Sequence, residues 1–455
     1  EFANEKKDNN AAAATPVAGN ETAPRNNILK TLKQYRYKPP KFSAEYGSVG
    51  LTSGSSVLIN RFQPYGGGAG PITLNSSTPL NGLIRLGTVE LLEDQRISGG
   101  FRISTNLKDN EWFMTYQNYK RRIDWGLTYY RNVQQVGDNF GNFIGRLYTN
   151  LYQVNVAYPF DETKSLRLTT GIRSDKIVTA SQDPGTLVAE DDKRLYSTTR
   201  LEYVYDNSLN PTLNIWNGLR YKFYIDWNRQ VNKVKFADGP TTFNFGFDGR
   251  YYYPILRNFI WAGRVAGDFS WGNQKIIYYL GGVDGWLMFG QNQKYDQNGV
   301  LIKERYFNTS NPPDPDQDYA FQSLAVNMRG YIQNVANGNN AVVINSEFRL
   351  PVFTTLLNRP INNSFLRNFQ IIQFFDFGTA WNGAYDKFKR PEVVYGNPPL
   401  QVKIKAGGLG PFAGGYGFGA RSTLLGYFVK FDAGWPMTGF FKGSPILYVS
   451  LGLDF

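Results

Sequence analysis

Leu219-Arg220-Tyr221-Lys222-Phe223-Tyr224-Ile225-Asp226-Trp227 decides the fold. Side chains of an extended strand alternate between its two faces. Leu219, Tyr221, Phe223, Ile225 and Trp227 therefore share one face, and Arg220, Lys222, Tyr224 and Asp226 the other. One face suits lipid and the other suits water. The pattern recurs outward from this stretch. Ile97, Gly99, Phe101 and Ile103 alternate with Ser98, Gly100, Arg102 and Ser104, and Leu166, Leu168, Thr170 and Ile172 with Arg167, Thr169, Gly171 and Arg173. A soluble sandwich also alternates. Here, however, the runs reach about ten residues, the length that crosses a bilayer at a tilt.

Composition agrees. Mean hydropathy is −0.40, and no apolar run approaches the roughly 20 residues of a membrane-spanning helix. Yet 16% of residues are aromatic and 47 are Gly, which fits a sheet with aromatic girdles. Only a strand barrel hides its backbone in lipid without helical hydropathy. The chain has no Cys and no His. That removes disulfides, thiol nucleophiles, Ser-His-Asp catalysis and the common zinc sites, so no catalytic residue, metal or cofactor is expected. Asp314, Asp316 and Asp318 are spaced like the start of a calcium loop, but the sixth-position Gly and twelfth-position Glu are missing; they read as an acidic, solvated loop. The charge of +12 reads as Arg and Lys in lumen and loops, with contact to anionic headgroups or lipopolysaccharide at the rims. Basic residues are scattered rather than gathered, so no nucleic-acid partner is expected.

The expected architecture is all-β: a transmembrane antiparallel β-barrel of about 16 strands, with a long loop folded into the lumen. Strands are expected near 40–50, 82–92, 96–106, 111–120, 122–131, 144–159, 165–176, 194–206, 216–228, 242–253, 258–271, 341–352, 367–381, 412–423, 426–436 and 445–455. Connections at 93–95, 121 and 160–164 are then short periplasmic turns, and those at 51–81, 177–193, 272–340 and 382–411 long external loops. Residues 1–28 are polar and of low complexity, without a signal peptide. They read as a flexible linker from a periplasmic part outside this sequence, with 29–455 as the barrel.

The last nine residues, Leu447-Tyr448-Val449-Ser450-Leu451-Gly452-Leu453-Asp454-Phe455, resemble the outer-membrane β-signal, which assembly machinery reads by strand addition. Within that resemblance Tyr448, Gly452, Leu453 and Phe455 are the signal positions, and Phe455 would sit at the periplasmic rim. The second half resembles the BamA/TamA/FhaC superfamily, the bacterial surface antigen family. Met328-Arg329-Gly330-Tyr331 is similar to its VRGF/VRGY motif, with Met in place of Val. Asn345-Ser346-Glu347-Phe348-Arg349-Leu350-Pro351 is similar to its ELRFP strand, and Phe374-Phe375-Asp376-Phe377-Gly378 to its FxDxG strand. Gly417-Phe418-Gly419-Ala420-Arg421 and Lys430-Phe431-Asp432-Ala433-Gly434-Trp435-Pro436 resemble its penultimate hairpin. Tyr205-Asp206-Asn207 with Asn210-Pro211-Thr212 echoes its YDxRDNP turn, here without the Arg. The blocks keep the family's order over about 200–455. Tyr279-Leu280-Gly281-Gly282 resembles the lead-in to the RGF motif, separated from it here by a long insertion. No POTRA-like modules precede the barrel; a related subgroup carries a periplasmic β-propeller instead.

The resemblance implies an outer-membrane assembly, insertion or translocation barrel, not an enzyme. Its partners would be the bilayer, lipopolysaccharide, client outer-membrane proteins and periplasmic or lipoprotein subunits. It would act through a weak seam between first and last strands, and Gly47 and Gly50 in the first strand fit that role. Two alternatives are a pore of the two-partner-secretion kind and a structural anchor for a periplasmic module. Within the fold, Arg329 should reach from the long loop to Asp376, with Glu347 second, since both carboxylates share the inward parity of their strands. An Arg fork takes a carboxylate bidentately, as Lys cannot.

Overall fold

The computed structural model describes residues 42–52, 62–65, 80–104, 107, 109–137, 143–181, 184–188, 190–232, 239–290, 292–357, 359–384, 392–395, 402–405, 412–437 and 443–455. The linker read into 1–28 lies outside them.

Sixteen strands build the wall. They are β1 (Ser43–Thr52), β2 (Asn81–Val89), β3 (Gln95–Ser104), β4 (Asn110–Asn118), β5 (Asp124–Gly137), β6 (Phe143–Pro159), β7 (Lys164–Thr179) and β8 (Asp192–Asp206). There follow β9 (Ile215–Gln230), β10 (Thr241–Leu256), β11 (Phe259–Gly272), β12 (Asn340–Pro351), β13 (Gln370–Trp381), β14 (Ala413–Leu424), β15 (Tyr427–Pro436) and β16 (Ile446–Leu451). Each pairs antiparallel with the next, from β1–β2 round to β15–β16. Such a sheet leaves no backbone group facing lipid unpaired, except at its seam.

Alternation sorts the side chains as the sequence requires. On β9, Leu219, Phe223, Ile225 and Trp227 are exposed on the outside, while Asp226, Asn228 and Gln230 are buried inside. Inward charges are paired: Arg200 with Asp226 at 2.8 Å, Arg102 with Glu111 at 2.5 Å, and Asp248 with both Arg250 and Arg264 at 2.7 Å. An apolar exterior around an ionic interior is the reverse of a soluble protein. It matches a barrel of the bacterial outer membrane. Among the described residues no helix is long and apolar enough to cross a membrane.

A barrel this wide cannot fill its lumen from the wall alone. The β11–β12 connection enters it. Lys275–Leu280 pairs in parallel with Tyr319–Leu324 and antiparallel with Ala336–Gly338, and Gln63–Pro64 adds a fourth strand. Ile276, Tyr278, Leu280, Phe321 and Met328 pack against Tyr196 of β8, Ala341 and Val343 of β12 and Ala413 of β14 in one buried cluster. A cavity of about 710 Å³ remains beside β4–β9, lined by Asp124, Arg167, Arg173, Arg200, Glu202 and Asp226 among others.

The seam differs from the rest of the wall. No register of paired residues joins β1 to β16 among the described residues. Across the gap, Leu51 N donates to the Tyr427 hydroxyl of β15 at 3.0 Å. Here one expectation fails. The last strand does not run to Phe455 but stops at Leu451. Gly452 has φ +110°, a left-handed conformation that glycine adopts readily. The final residues turn inward, and Phe455 packs against Ile215, Tyr252, Ile260 and Ala262, at the end of the barrel where the short β8–β9 and β10–β11 turns lie. Leu453, one of the expected signal positions, lies beyond the strand and is 41% exposed. The cause is tertiary: Asn214 both donates to the Asp454 carboxylate and accepts from its N–H, each at 2.9 Å.

The two faces should respond differently to charge. Ile225→Arg, on the outside, should cost about 2–4 kcal/mol if it lies at mid-membrane depth. Thr169→Asp, inside on the half-buried cavity wall opposite Arg200, should cost far less. Urea unfolding in bilayers measures both, and equal costs would refute this assignment of faces.

Candidate functional site

The tip of the luminal loop meets the wall at β12–β15. Met328 is fully buried, and its N–H donates to Gly282 O at 2.9 Å. Arg329 then turns its side chain onto β13. Its Nε donates to Asp376 Oδ2 at 2.8 Å and Nη2 to Asp376 Oδ1 at 2.9 Å, a bidentate fork. Its backbone N–H also donates to Asp376 Oδ2, at 2.9 Å. Glu347 Oε1 of β12 lies 2.7 Å from Nη2, and Asp432 Oδ1 of β15 lies 4.0 Å from Nη1. The guanidinium carbon stands 3.8 Å from the centroid of the Phe374 ring, so one face of the cation meets an aromatic quadrupole. The structure thus brings together the three residues the sequence paired, Arg329, Asp376 and Glu347.

Why the tip can come this close is written in glycine. The inward positions of β14 carry Ala413, Gly415, Gly417 and Gly419. A Cβ on Gly415 would collide with the Arg329 carbonyl oxygen, and one on Gly434 of β15 would stand 2.6 Å from Gly330 N. Gly330 itself has φ +94° and would strike the Trp435 carbonyl with a Cβ at 2.7 Å. Its N–H donates to the Tyr448 hydroxyl at 3.0 Å, which in turn donates to Tyr331 O at 2.7 Å. Tyr331, half-buried, packs against the luminal cluster. Tyr448 is therefore an inward anchor for the loop.

The charges continue toward the tail. Arg349 reaches Glu347 at 2.8 Å and Phe455 O at 3.0 Å, and its cation stands 4.9 Å from the Phe455 ring centroid. Arg421 reaches Asp432 at 2.8 Å and Asp454 at 2.9 Å, with Lys430 3.8 Å from Asp454. Four carboxylates (Glu347, Asp376, Asp432, Asp454) face four cations (Arg329, Arg349, Arg421, Lys430), so these side-chain charges balance. Sequence reasoning gave no role to Asp432, Arg421, Phe374 or Asn345, whose Nδ2 donates to Asp376 Oδ1 at 2.8 Å. Their inward parity beside Asp376 and Glu347 was the available signal. The arrangement holds a loop and a tail in place. Among the described residues no group of His, Cys, Asp and Glu is placed to hold a metal ion.

Comparison of the whole fold finds outer-membrane barrels. BamA of Haemophilus ducreyi, lacking POTRA domains 1–3, superimposes with TM-score 0.51 at 11% identity, over 89% of this chain and 69% of that one. CdiB of Acinetobacter baumannii gives 0.45 at 12% identity, over 91% of this chain and 60% of that one. CdiB of Escherichia coli gives 0.44 at 12% identity, over 90% and 68%. No family model and no curated protein matches the chain. The fold is that of a BamA-type barrel.

Removing the Arg329 cation strands its buried carboxylates, which costs roughly 3–5 kcal/mol. Arg329→Ala should therefore lower the urea midpoint and open 290–340 to protease. Arg329→Lys keeps the charge but loses the fork, and should cost about 2–3 kcal/mol. Equal midpoints for all three proteins would rule out a lock. Deleting Phe455 removes the ring under Arg349 and the residue expected to close the signal; the yield of heat-modifiable barrel should fall, and an unchanged yield would dismiss both roles.

Proposed function

We propose that this BamA-type barrel assembles β-strand proteins into the outer membrane, using the β1/β16 seam as its working edge. One observation carries the reading: among the described residues the wall is continuous at every strand pair except this one. An unpaired strand edge is a template for another strand. β16 is six residues long, against seventeen for β6, and its tail leaves the wall at Gly452. β1 is ten residues long and exposed on both faces over most of its length. Little hydrogen bonding has to break for the seam to part. The rest of the wall is paired strand to strand, and its longest strands, β5–β11, lie away from the seam, so parting there leaves the wall intact.

A second reading is a translocation pore, and the 710 Å³ cavity lined by charged and polar groups of β4–β9 favours it. The two separate in one preparation. The barrel in liposomes is given a urea-denatured eight-stranded outer-membrane protein, and protease-resistant client is scored. A rate several-fold above protein-free liposomes supports assembly. No acceleration, with ion conductance that rises when 273–340 is deleted, replaces assembly by the pore.

A further inference from the structure

The free edge of β16 is not vacant. Leu287, from the luminal loop, donates its N–H to Val449 O at 2.8 Å, and Trp286 forms an antiparallel bridge with Ser450. In an antiparallel ladder a residue's N–H and C=O point to the same neighbour. Val449 sits opposite Phe431 of β15 but gives its carbonyl to Leu287, so it turns its polar groups away from β15. Residues 285–287 therefore pair on the seam side of β16, the side a first strand or an incoming strand would use.

Side chains fix this short pairing. Trp286 is 7% exposed. Its ring lies 4.7 Å from that of Tyr448 and 5.2 Å from that of Tyr306, the second edge-on at 87°. Val283, Met288, Ile332 and Ile446 complete the cluster. The chain reaches this position by leaving the luminal sheet sharply. Gly281, Gly282 and Gly285 all have positive φ, at +106°, +79° and +66°, and a Cβ on Gly281 would collide with the Ile332 carbonyl. The pairing is also tied to the Arg329 lock. Gly282 bridges to Met328, and Tyr448 carries the Trp286 ring on its own ring while its hydroxyl holds Gly330 and Tyr331.

We propose that Gly285–Leu287 is a built-in surrogate strand: it occupies the seam edge of β16 and must leave before that edge pairs with another strand. This deepens the assembly reading and rests on it for its purpose, though not for its geometry. Three residues satisfy the edge without sealing it. A client strand of ordinary length makes more hydrogen bonds there and displaces the segment. Release of Arg329 removes one of the anchors that hold the segment in place.

The chain has no Cys, which makes the test clean. In the full chain, Ser450→Cys places one thiol on the guarded edge. The probe is a synthetic peptide of residues 447–455 carrying an activated disulfide in place of Ser450, with a scrambled peptide as control. Adding Leu287→Pro removes the N–H given to Val449. Capture of the alternating peptide should then be at least about tenfold faster, the factor equivalent to ~1.4 kcal/mol; the scrambled peptide should show no change. Equal capture with and without Leu287→Pro overturns the proposal.

The pair Trp286→Cys with Ser450→Cys tests it from the other side, and covers the case in which Leu287→Pro does not fold. A non-hydrogen-bonded cross-strand pair lies close enough to form a disulfide. The oxidised barrel should lose client insertion and regain it on reduction. Failure of the disulfide to form, or equal insertion in both forms, overturns the surrogate strand and leaves the assembly reading standing. Faster peptide capture with no insertion by any form does the opposite.

Discussion

A guanidinium in the middle of a barrel has to be answered by carboxylates, and the arrangement around Arg329 follows from that demand. Burial without partners would be prohibitive, so Glu347, Asp376 and Asp432 converge from β12, β13 and β15. A fork reaches a wall carboxylate only if the loop backbone lies almost against the sheet. That requirement accounts for the small residues on the inward face of β14 and for Gly434 on β15: side chains there would hold the loop off and break the ion pair. The excess negative charge needed by Arg329 would itself be costly. Arg349, Arg421 and Lys430 offset it, and in doing so they draw the C-terminal tail inward.

The lock and the seam are opposite solutions placed side by side. Strands β5–β11 are fourteen to seventeen residues long and paired along most of their length. The two end strands share no register of paired residues among the described residues. A wall with one weak joint opens there and nowhere else, since local opening follows local stability. The luminal loop spans both regimes: its tip is clamped to the strong side at β13, and Trp286 rests on the weak side at β16.

Much of this was legible in the sequence, for a definite reason. Period two is imposed by strand geometry itself, so Ile225 and Asp226 declare opposite faces without knowledge of any neighbour. The strands from β2 to β15 accordingly fall within a few residues of their expected positions, except that β5 runs six residues further, to Gly137. Parity also placed Asp376 and Glu347 on the lumen side, which made them partners for Arg329. What parity cannot carry is a contact that overrides it. Leu451, Leu453 and Phe455 continue the alternation, yet the strand ends at Leu451 because Asn214, Arg349 and Arg421, remote in the chain, hold the tail elsewhere. Trp286 was invisible for the same reason: its segment has no alternation of its own and borrows an edge made about 160 residues later.

The inward tail also says something about order in time. Asp454 meets Asn214 across 240 residues of chain, and Phe455 lies against Ile215, Tyr252 and Ile260. Loop closure over such a span forms slowly and late, because its entropic cost precedes its reward. The surface that receives Phe455 exists only once β9, β10 and β11 are side by side. The last four residues therefore dock on work already completed, and an intermediate with a misplaced strand in that region offers them no seat. In kinetic terms the terminus behaves as an inspector of the finished wall.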